Sequence, residues 1–193
     1  MNFYVIQVQT GSEGEYLEIA RKTSRDAGIR IYWPRRKLNI RKRGKTVESL
    51  APLFPGYLFV EAEEIGTEVY WALRRTPGFF RFLDSNTNIL PLERPDQELL
   101  VHFLSFGEIV AKSQVLFDDH SRIRIVNGPL SGLEGRIVKV DKRKGRAKVR
   151  LDLYKDSFLV DLGFDIMAPG SPPPERRGRV PESETAEKRI DIS

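Results

Sequence analysis

The chain has 193 residues, with 32 Lys and Arg, 27 Asp and Glu, two His and no Cys. A hydrophobic fraction of 40% is enough for a packed core and excludes a chain that is disordered throughout. The lack of Cys excludes disulfides, thiolate nucleophiles and thiolate metal sites, and two His leave little for zinc. No apolar stretch reaches the ~20 residues of a bilayer-spanning helix, and the first residues do not resemble a signal peptide. We therefore expect a cytoplasmic protein of one or two domains, with no membrane contact, cofactor or metal.

The net charge of +5 is distributed unevenly along the chain. Residues 25–45 contain nine positive side chains and one negative one, and residues 121–150 contain ten positive and two negative ones. The rest of the chain is acidic by comparison. Two basic segments of this kind point to anionic partners more clearly than the total charge does.

The first half of the chain has the pattern of a small α+β domain. Ser12 and Glu15 predict a capping box at the start of a helix that ends at Gly28. Apolar periodicity and turn residues predict strands at 3–8, 29–33, 38–40, 46–50, 57–61 and 78–83, with further helices around 69–76 and from 95 onward. This order predicts an antiparallel-sheet α/β sandwich over residues 1–107, with its helices on one face of the sheet.

The second half predicts a smaller all-β unit. Residues 108–120 have no clear periodicity, and we expect them to form an interdomain linker. Four short strand candidates follow, at 122–126, 135–140, 147–153 and 157–162, and they predict a small SH3-like β-barrel over residues 121–169. The Pro-rich and charged composition of residues 170–193 predicts a disordered tail.

The segment at 52–61, Pro-Leu-Phe-Pro-Gly-Tyr-Leu-Phe-Val-Glu, is the most distinctive motif. Gly56 permits a tight entry into a strand, in which Tyr57 and Phe59 point to one face and the intervening residues to the other. One face would then be core and the other a contact surface, although a strand buried on both faces is the alternative. An RNA-recognition motif is disfavoured because Pro55 replaces the cation of its signature strand.

Four segments together resemble the NusG family of bacterial transcription elongation factors. They are residues 4–7, 52–61, 76–79 (Thr-Pro-Gly-Phe) and 128–135 (Gly-Pro-Leu-Ser-Gly-Leu-Glu-Gly). The resemblance covers residues 1 to about 169 and implies a NusG N-terminal domain followed by a KOW domain. The sequence of residues 52–61 and the basic hairpin before it are more similar to the specialised paralogues RfaH and LoaP than to the general housekeeping factor of the family.

The resemblance implies a monomer that docks on the clamp helices of the largest RNA polymerase subunit, beside the non-template DNA strand. The implied polymerase contacts are Tyr4, Phe54, Tyr57, Phe59 and Thr67. Arg74 matches a position that faces non-template DNA. The hairpin tip, with Arg41, Lys42 and Arg43, matches a hairpin that projects toward upstream DNA. An equally good interpretation is an edge strand whose charges only keep it soluble.

Basic side chains of the KOW segment are the candidate RNA-binding residues. Alternation places Ala147, Val149 and Leu151 inward and the intervening cations outward. The candidates are Lys139, Lys142, Arg143, Lys144, Arg146, Lys148 and Arg150. A solvated basic strand is the alternative, but the local charge excess favours phosphate binding. By resemblance, Tyr154 is a contact for a small-subunit ribosomal protein or a termination factor, or else a cap on the barrel.

Motifs of nucleotide-binding, hydrolase and metalloprotease sites are missing, so we expect a binding protein and not an enzyme. The first hypothesis is a specialised antitermination factor whose KOW domain binds nascent RNA. The second is a general elongation factor whose KOW domain recruits a ribosomal protein or a termination factor. The third is a free-standing RNA-binding KOW protein that does not contact polymerase.

Overall fold

The structure is a computed structural model that describes residues 1–25, 27–83 and 85–168. The predicted tail at 170–193 lies outside these residues. The strands are β1 (Asn2–Val8), β2 (Arg30–Tyr32), β3 (Arg35–Lys42), β4 (Lys45–Pro52), β5 (Tyr57–Ala62), β6 (Phe79–Phe82), β7 (Ile109–Val110), β8 (Ser113–Phe117), β9 (Ile123–Asn127), β10 (Ile137–Asp141), β11 (Arg146–Leu153) and β12 (Asp156–Ile166). The helices are α1 (Glu13–Thr23), α2 (Thr67–Arg75) and α3 (Arg94–Leu104).

An antiparallel four-stranded sheet, in the order β2-β5-β1-β6, organises the N-terminal half. Because side chains alternate along β5, Leu58 and Val60 join the core beneath α1 and α2, whereas Tyr57 and Phe59 point to the opposite face. This confirms the predicted α+β sandwich. The expectation that all helices share one face is wrong for α3, because its Leu100 and Phe103 pack on the opposite face.

The start of α1 is held differently from the predicted capping box. Ser12 occupies the N-cap position, but its side chain makes no capping hydrogen bond. Instead, the buried Glu13 carboxylate accepts the backbone N–H groups of Gly11 and Gly56, each at 2.8 Å. Gly56 has a φ of +80°, and a Cβ there would lie 2.9 Å from the Thr10 hydroxyl. The tight entry into β5 therefore requires glycine, as predicted.

The basic hairpin is formed by β3 and β4, which pair antiparallel from Arg35 and Pro52 to the tip. Arg43 and Gly44 both have positive φ, at 50° and 80°, as the two-residue turns of hairpins require. At its base, β3 also pairs in parallel with β7. The hairpin is thus anchored to the rest of the chain at one end and free at the other.

The second half is an SH3-like barrel with the strand order β10-β11-β12-β8-β9. Its core contains Ala147, Val149 and Leu151, each fully buried, which confirms the predicted alternation of β11. Residues 108–120, predicted to be a linker, contain β7 and β8, and β8 pairs with both β9 and β12. The sequence did not indicate these strands because residues 108–120 contain no Gly or Pro turn residue that would mark where a strand begins or ends.

None of the helices in the described residues is long and apolar enough to cross a membrane.

Candidate functional site

Three aromatic side chains, Phe54, Tyr57 and Phe59, form a continuous surface on one side of the four-stranded sheet, which we call the aromatic face. The rings of Phe54 and Phe59 meet edge to face, with centroids 5.5 Å apart. Phe54 also contacts Phe103 of α3 at 6.4 Å. All three predicted residues are therefore brought together by β5 and the turn before it.

The barrel covers the aromatic face in this structure. Phe158 of β12 packs edge to face on both Phe54 and Tyr57, with centroid distances of 5.5 Å in each case. The Tyr57 hydroxyl donates to Asp156 Oδ2 at 2.6 Å and accepts from the Gln7 side-chain amide at 2.6 Å. Burial, and then the bond to Asp156, raise the pKa of Tyr57 to about 12. The aromatic face is thus a contact surface, and its occupant here is the chain's own second half.

A second contact joins α3 to the loops of the barrel. The Asp96 carboxylate accepts the backbone N–H of Tyr154 at 2.9 Å, and burial raises the pKa of Asp96. His102 Nε2 lies 2.9 Å from the carbonyl oxygen of Pro129. Tyr154, the predicted partner contact, has a φ of +57° and packs against the shared apolar core. In this arrangement it contributes to the interdomain contact.

A third contact is charged and lies between the hairpin and the barrel. Arg146 of β11 donates to the carbonyl oxygen of Asn39 in β3. Asp161 lies 3.9 Å from Arg146 and 3.1 Å from Lys148. Burial is the main cause that lowers the pKa of Arg36 to about 10, with Asp161 opposing this shift and the neighbouring Arg146 adding to it. The Asp161 carboxylate thus interacts electrostatically with three cations, namely Arg36, Arg146 and Lys148.

Backbones approach closely at this charged contact. A Cβ added to Gly163 of β12 would lie 2.8 Å from the carbonyl oxygen of Lys37 in β3. Glycine is therefore needed at this position for the strands to come together. Its backbone is not in the left-handed region, so an alanine would be opposed only by the neighbouring strand and side chain.

Two predicted polymerase contacts lie away from the aromatic face. Tyr4 pairs with Val60 in the sheet and points toward α1 and α2, so it does not lie near Tyr57 as the resemblance implied. Its hydroxyl donates to the carbonyl oxygen of Glu63. Thr67 is exposed at the first position of α2. The structure therefore separates these residues into two surfaces.

The predicted DNA-binding cations form two separate groups. Arg74 is exposed on α2, with its guanidinium carbon 5.5 Å from the ring centroids of both Tyr70 and Trp71. Arg75, which the sequence did not single out, lies 5.3 Å from the Trp71 ring. The hairpin tip exposes Arg41, Lys42 and Arg43. Both groups are accessible while the barrel covers the aromatic face.

The predicted RNA-binding cations share one end and one face of the barrel. Five are exposed, namely Lys139, Lys142, Lys144, Arg143 and Arg150. The other two, Lys148 and Arg146, are partly buried, and only 19% of the Arg146 side chain is exposed because it faces the hairpin. A hollow of about 150 Å³ is lined by Lys139, Lys144, Arg146 and Lys148, together with Asp141 and Asp161. Within the described residues, no group of three or more His, Asp or Glu side chains is arranged to hold a metal ion.

Sequence reasoning missed the barrel side of the interface. Phe158 and Asp156 lie at the start of β12, where alternation assigns Phe158 to the barrel interior together with Val160. In the structure Phe158 is only partly buried and reaches out to the aromatic face. No local pattern distinguishes such a side chain from a core residue at a barrel end.

The family model for the transcription termination factor NusG matches residues 1–100, slightly more than half of the chain. The chain belongs to the NusG family. It is 29% identical over 136 residues to the transcription termination/antitermination protein NusG of Thermus thermophilus, covering 66% of this chain and 72% of that protein. It is 26% identical over 166 residues to the protein of the same name from Streptococcus pyogenes, covering 83% and 91%.

The fold is similar to that of a solved structure titled "Domain interaction in Thermotoga maritima NusG". The TM-score is 0.52 with 21% sequence identity, over 84% of this chain and 93% of that one. The NusG family places the chain among transcription termination and antitermination factors and not in an enzyme class.

Proposed function

We propose that this chain is a specialised antitermination factor of the NusG family that acts as a monomer in the cytoplasm. Its aromatic face binds the clamp helices of RNA polymerase, and its KOW barrel binds nucleic acid, chiefly nascent RNA. Bound in this way it suppresses pausing and termination. The single observation that carries the proposal is that the aromatic face is built as a docking surface, because a separate barrel already occupies it through Phe158.

The aromatic face has the composition of a protein-binding hot spot. Aromatic anchors in a desolvated centre, surrounded by polar groups, supply most of the binding energy at protein interfaces. Here the rings of Phe54 and Tyr57 form the centre, and the Tyr57 hydroxyl and Asp96 supply polar contacts at the edge. Clamp helices would take the place of the barrel on this surface, so polymerase binding requires the barrel to leave.

The barrel and the N-terminal half offer separate surfaces for nucleic acid. The basic ridge of Lys142, Arg143 and Lys144 suits phosphates, and its contribution falls steeply with salt. On α2, Arg74 lies against Tyr70 and Trp71, a combination typical of single-strand binding, and it would face non-template DNA.

Transcription in vitro through a terminator, with and without a candidate leader RNA, tests the proposal. We expect readthrough that depends on the leader and is lost when Lys142, Arg143 and Lys144 are replaced by Ala. The matched control replaces Arg122 and Arg124, two exposed barrel cations outside the ridge, and keeps readthrough. Readthrough that needs neither the leader nor the ridge contradicts the RNA-dependent mechanism, and no effect on elongation contradicts polymerase binding.

A general elongation factor is the second candidate. It is favoured by the relatives, which are named transcription termination/antitermination protein NusG. Its KOW barrel would recruit a ribosomal protein or a termination factor through Tyr154, at the β11–β12 turn. Such a factor would tolerate neutralisation of the ridge and would lose activity on substitution of Tyr154.

A further inference from the structure

Arg146 stands where the basic surface of the barrel meets the interdomain contact. One side of this residue faces β3, where its guanidinium donates to the Asn39 carbonyl oxygen. The other side faces the hollow that it lines together with Lys139, Lys144 and Lys148. No other cation of the hollow makes a hydrogen bond to the N-terminal half among the described residues. Docking and the basic surface therefore share one side chain.

The charges around Arg146 are not balanced when the barrel is docked. Asp161 faces Arg146, Lys148 and the buried Arg36, so three positive side chains share one carboxylate. The Nε atoms of Arg36 and Arg146 are buried and have no hydrogen-bond partner in the described part of the chain. Buried donors without partners are costly, and one carboxylate does not neutralise three cations, so this contact favours the arrival of another anion.

The hollow is suited to one phosphate group. Its volume of about 150 Å³ is roughly that of five liquid waters. Four cations and two carboxylates line it, which leaves an excess of two positive charges. The exposed Lys142 and Arg143 lie on the turn beside it and remain accessible in the docked state, so nucleic acid can make its first contacts before any movement.

We propose that an RNA phosphate in this hollow and the docked N-terminal half compete for Arg146, so that RNA binding releases the barrel from the aromatic face. The inference rests on the proposed nucleic-acid binding of the barrel. A phosphate bonds a guanidinium through two charge-assisted hydrogen bonds, which are stronger than one bond to a neutral carbonyl oxygen. Linkage then requires the reciprocal effect, that docking weakens RNA binding by the same factor.

Fluorescence anisotropy with a labelled GC-rich hairpin RNA at fixed salt tests the competition on the full chain. The opening variant is Gly163→Ala, whose Cβ pushes β12 away from the Lys37 carbonyl oxygen and against the Lys112 side chain, but replaces none of the cations that line the hollow. If the docked state holds ~90% of the wild-type molecules, opening raises the RNA affinity about tenfold. Asp161→Asn, which removes the shared carboxylate, is expected to raise the affinity as well.

Two further variants make the result decisive. Arg150→Ala removes an exposed cation outside the interdomain contact, and we expect it to weaken RNA binding equally in the wild-type and Gly163→Ala backgrounds. Phe158→Ser opens the apolar contact and checks that tighter binding follows opening and not the particular substitution. Because the chain has no Cys, spin labels on cysteines introduced at Glu68 of α2 and at Asp119, exposed in the β8–β9 loop outside the ridge, report opening directly.

The expected result is tighter RNA binding by both opening variants, and an RNA-induced broadening of the spin-label distance in the wild-type chain. Equal RNA affinity of the wild-type chain and both opened variants overturns the competition while nucleic-acid binding stands. A hairpin that binds none of the variants overturns both the competition and the proposed nucleic-acid function. Tighter RNA binding by the wild-type chain than by the opened variants overturns the competition and indicates that the hollow binds RNA while the barrel is docked.

Discussion

The two faces of the four-stranded sheet are buried to a similar degree but by different partners. On one face, Leu58 and Val60 lie beneath α1 and α2 of the same domain, and Tyr16 of α1 donates from its hydroxyl to the Leu73 carbonyl oxygen at 2.8 Å. On the other, Tyr57 and Phe59 lie beneath α3 and the barrel. Burial alone therefore does not separate a core face from a docking face.

The character of the polar contacts does separate them. The bonds that close the aromatic face, from Tyr57 to Asp156 and from Tyr154 to Asp96, are only partly buried and join the two halves of the chain. They can be replaced by water when the barrel leaves. The bond from Tyr16 is fully buried and joins two helices that are continuous with the sheet. The helix face is therefore closed within the N-terminal half, whereas the aromatic face is closed in part by the second half.

The largest effect is expected on the helix face. Leu58→Ala removes a fully buried side chain from a core that cannot separate, and we expect the free energy of unfolding to fall by about 2–5 kcal/mol. Chemical denaturation measures this change. The control is Leu50→Ala, at an exposed position of β4, which is expected to change it by less than about 0.5 kcal/mol. Similar values for the two variants would contradict the assignment of the helix face as core.

A smaller effect, of a different kind, is expected at the aromatic face. Phe158→Ser removes the ring that covers Phe54 and Tyr57, so docking should weaken by about 1.5–3 kcal/mol. The spin-label pair at positions 68 and 119 should change from one narrow distance to a broad distribution. Leu159→Ser is the matched control, because Leu159 is the next residue along β12 and its side chain is 57% exposed and points outward. An unchanged distance in Phe158→Ser would show that the ring does not hold the barrel.

The smallest effect is expected from one hydroxyl. Tyr57→Phe keeps the ring but removes the bonds to Asp156 and Gln7, which should weaken docking by about 0.5–1.5 kcal/mol. The open fraction, read from the same spin-label distance, should rise modestly. Tyr70→Phe makes the equivalent change on α2, away from the barrel, and should leave the distance unchanged. A larger change of the spin-label distance in Tyr70→Phe than in Tyr57→Phe would contradict the view that the Tyr57 hydroxyl helps to hold the barrel.

Local patterns predicted most of the secondary structure and half of the docking surface. The alternation of β5 placed Tyr57 and Phe59 together, and the four barrel strands followed from short apolar runs between turns. These signals are local, since each depends on residues within one element. The Gly56 requirement was equally visible, because a tight turn precedes the strand.

Features that depend on distant pairing were not predictable. Tyr4 lies opposite Val60, so its direction follows from the register of β1 against β5, which the sequence of β1 does not contain. The strand β8 is recognisable only through its pairing with β9 and β12. The contacts of Phe158 and Arg146 depend on how the two halves of the chain pack against each other, which no local periodicity indicates.

Affinity for a clamp-helix fragment of the largest RNA polymerase subunit tests the central claim, that the barrel occupies the polymerase-binding surface. The full chain should bind weakly, and Phe158→Ser should bind more tightly, by about tenfold if the docked state holds ~90% of the molecules. Leu159→Ser should match the wild type. Because misfolding cannot increase affinity, a gain supports the claim directly. Equal affinity of Phe158→Ser and the wild type, with the barrel released, would contradict it.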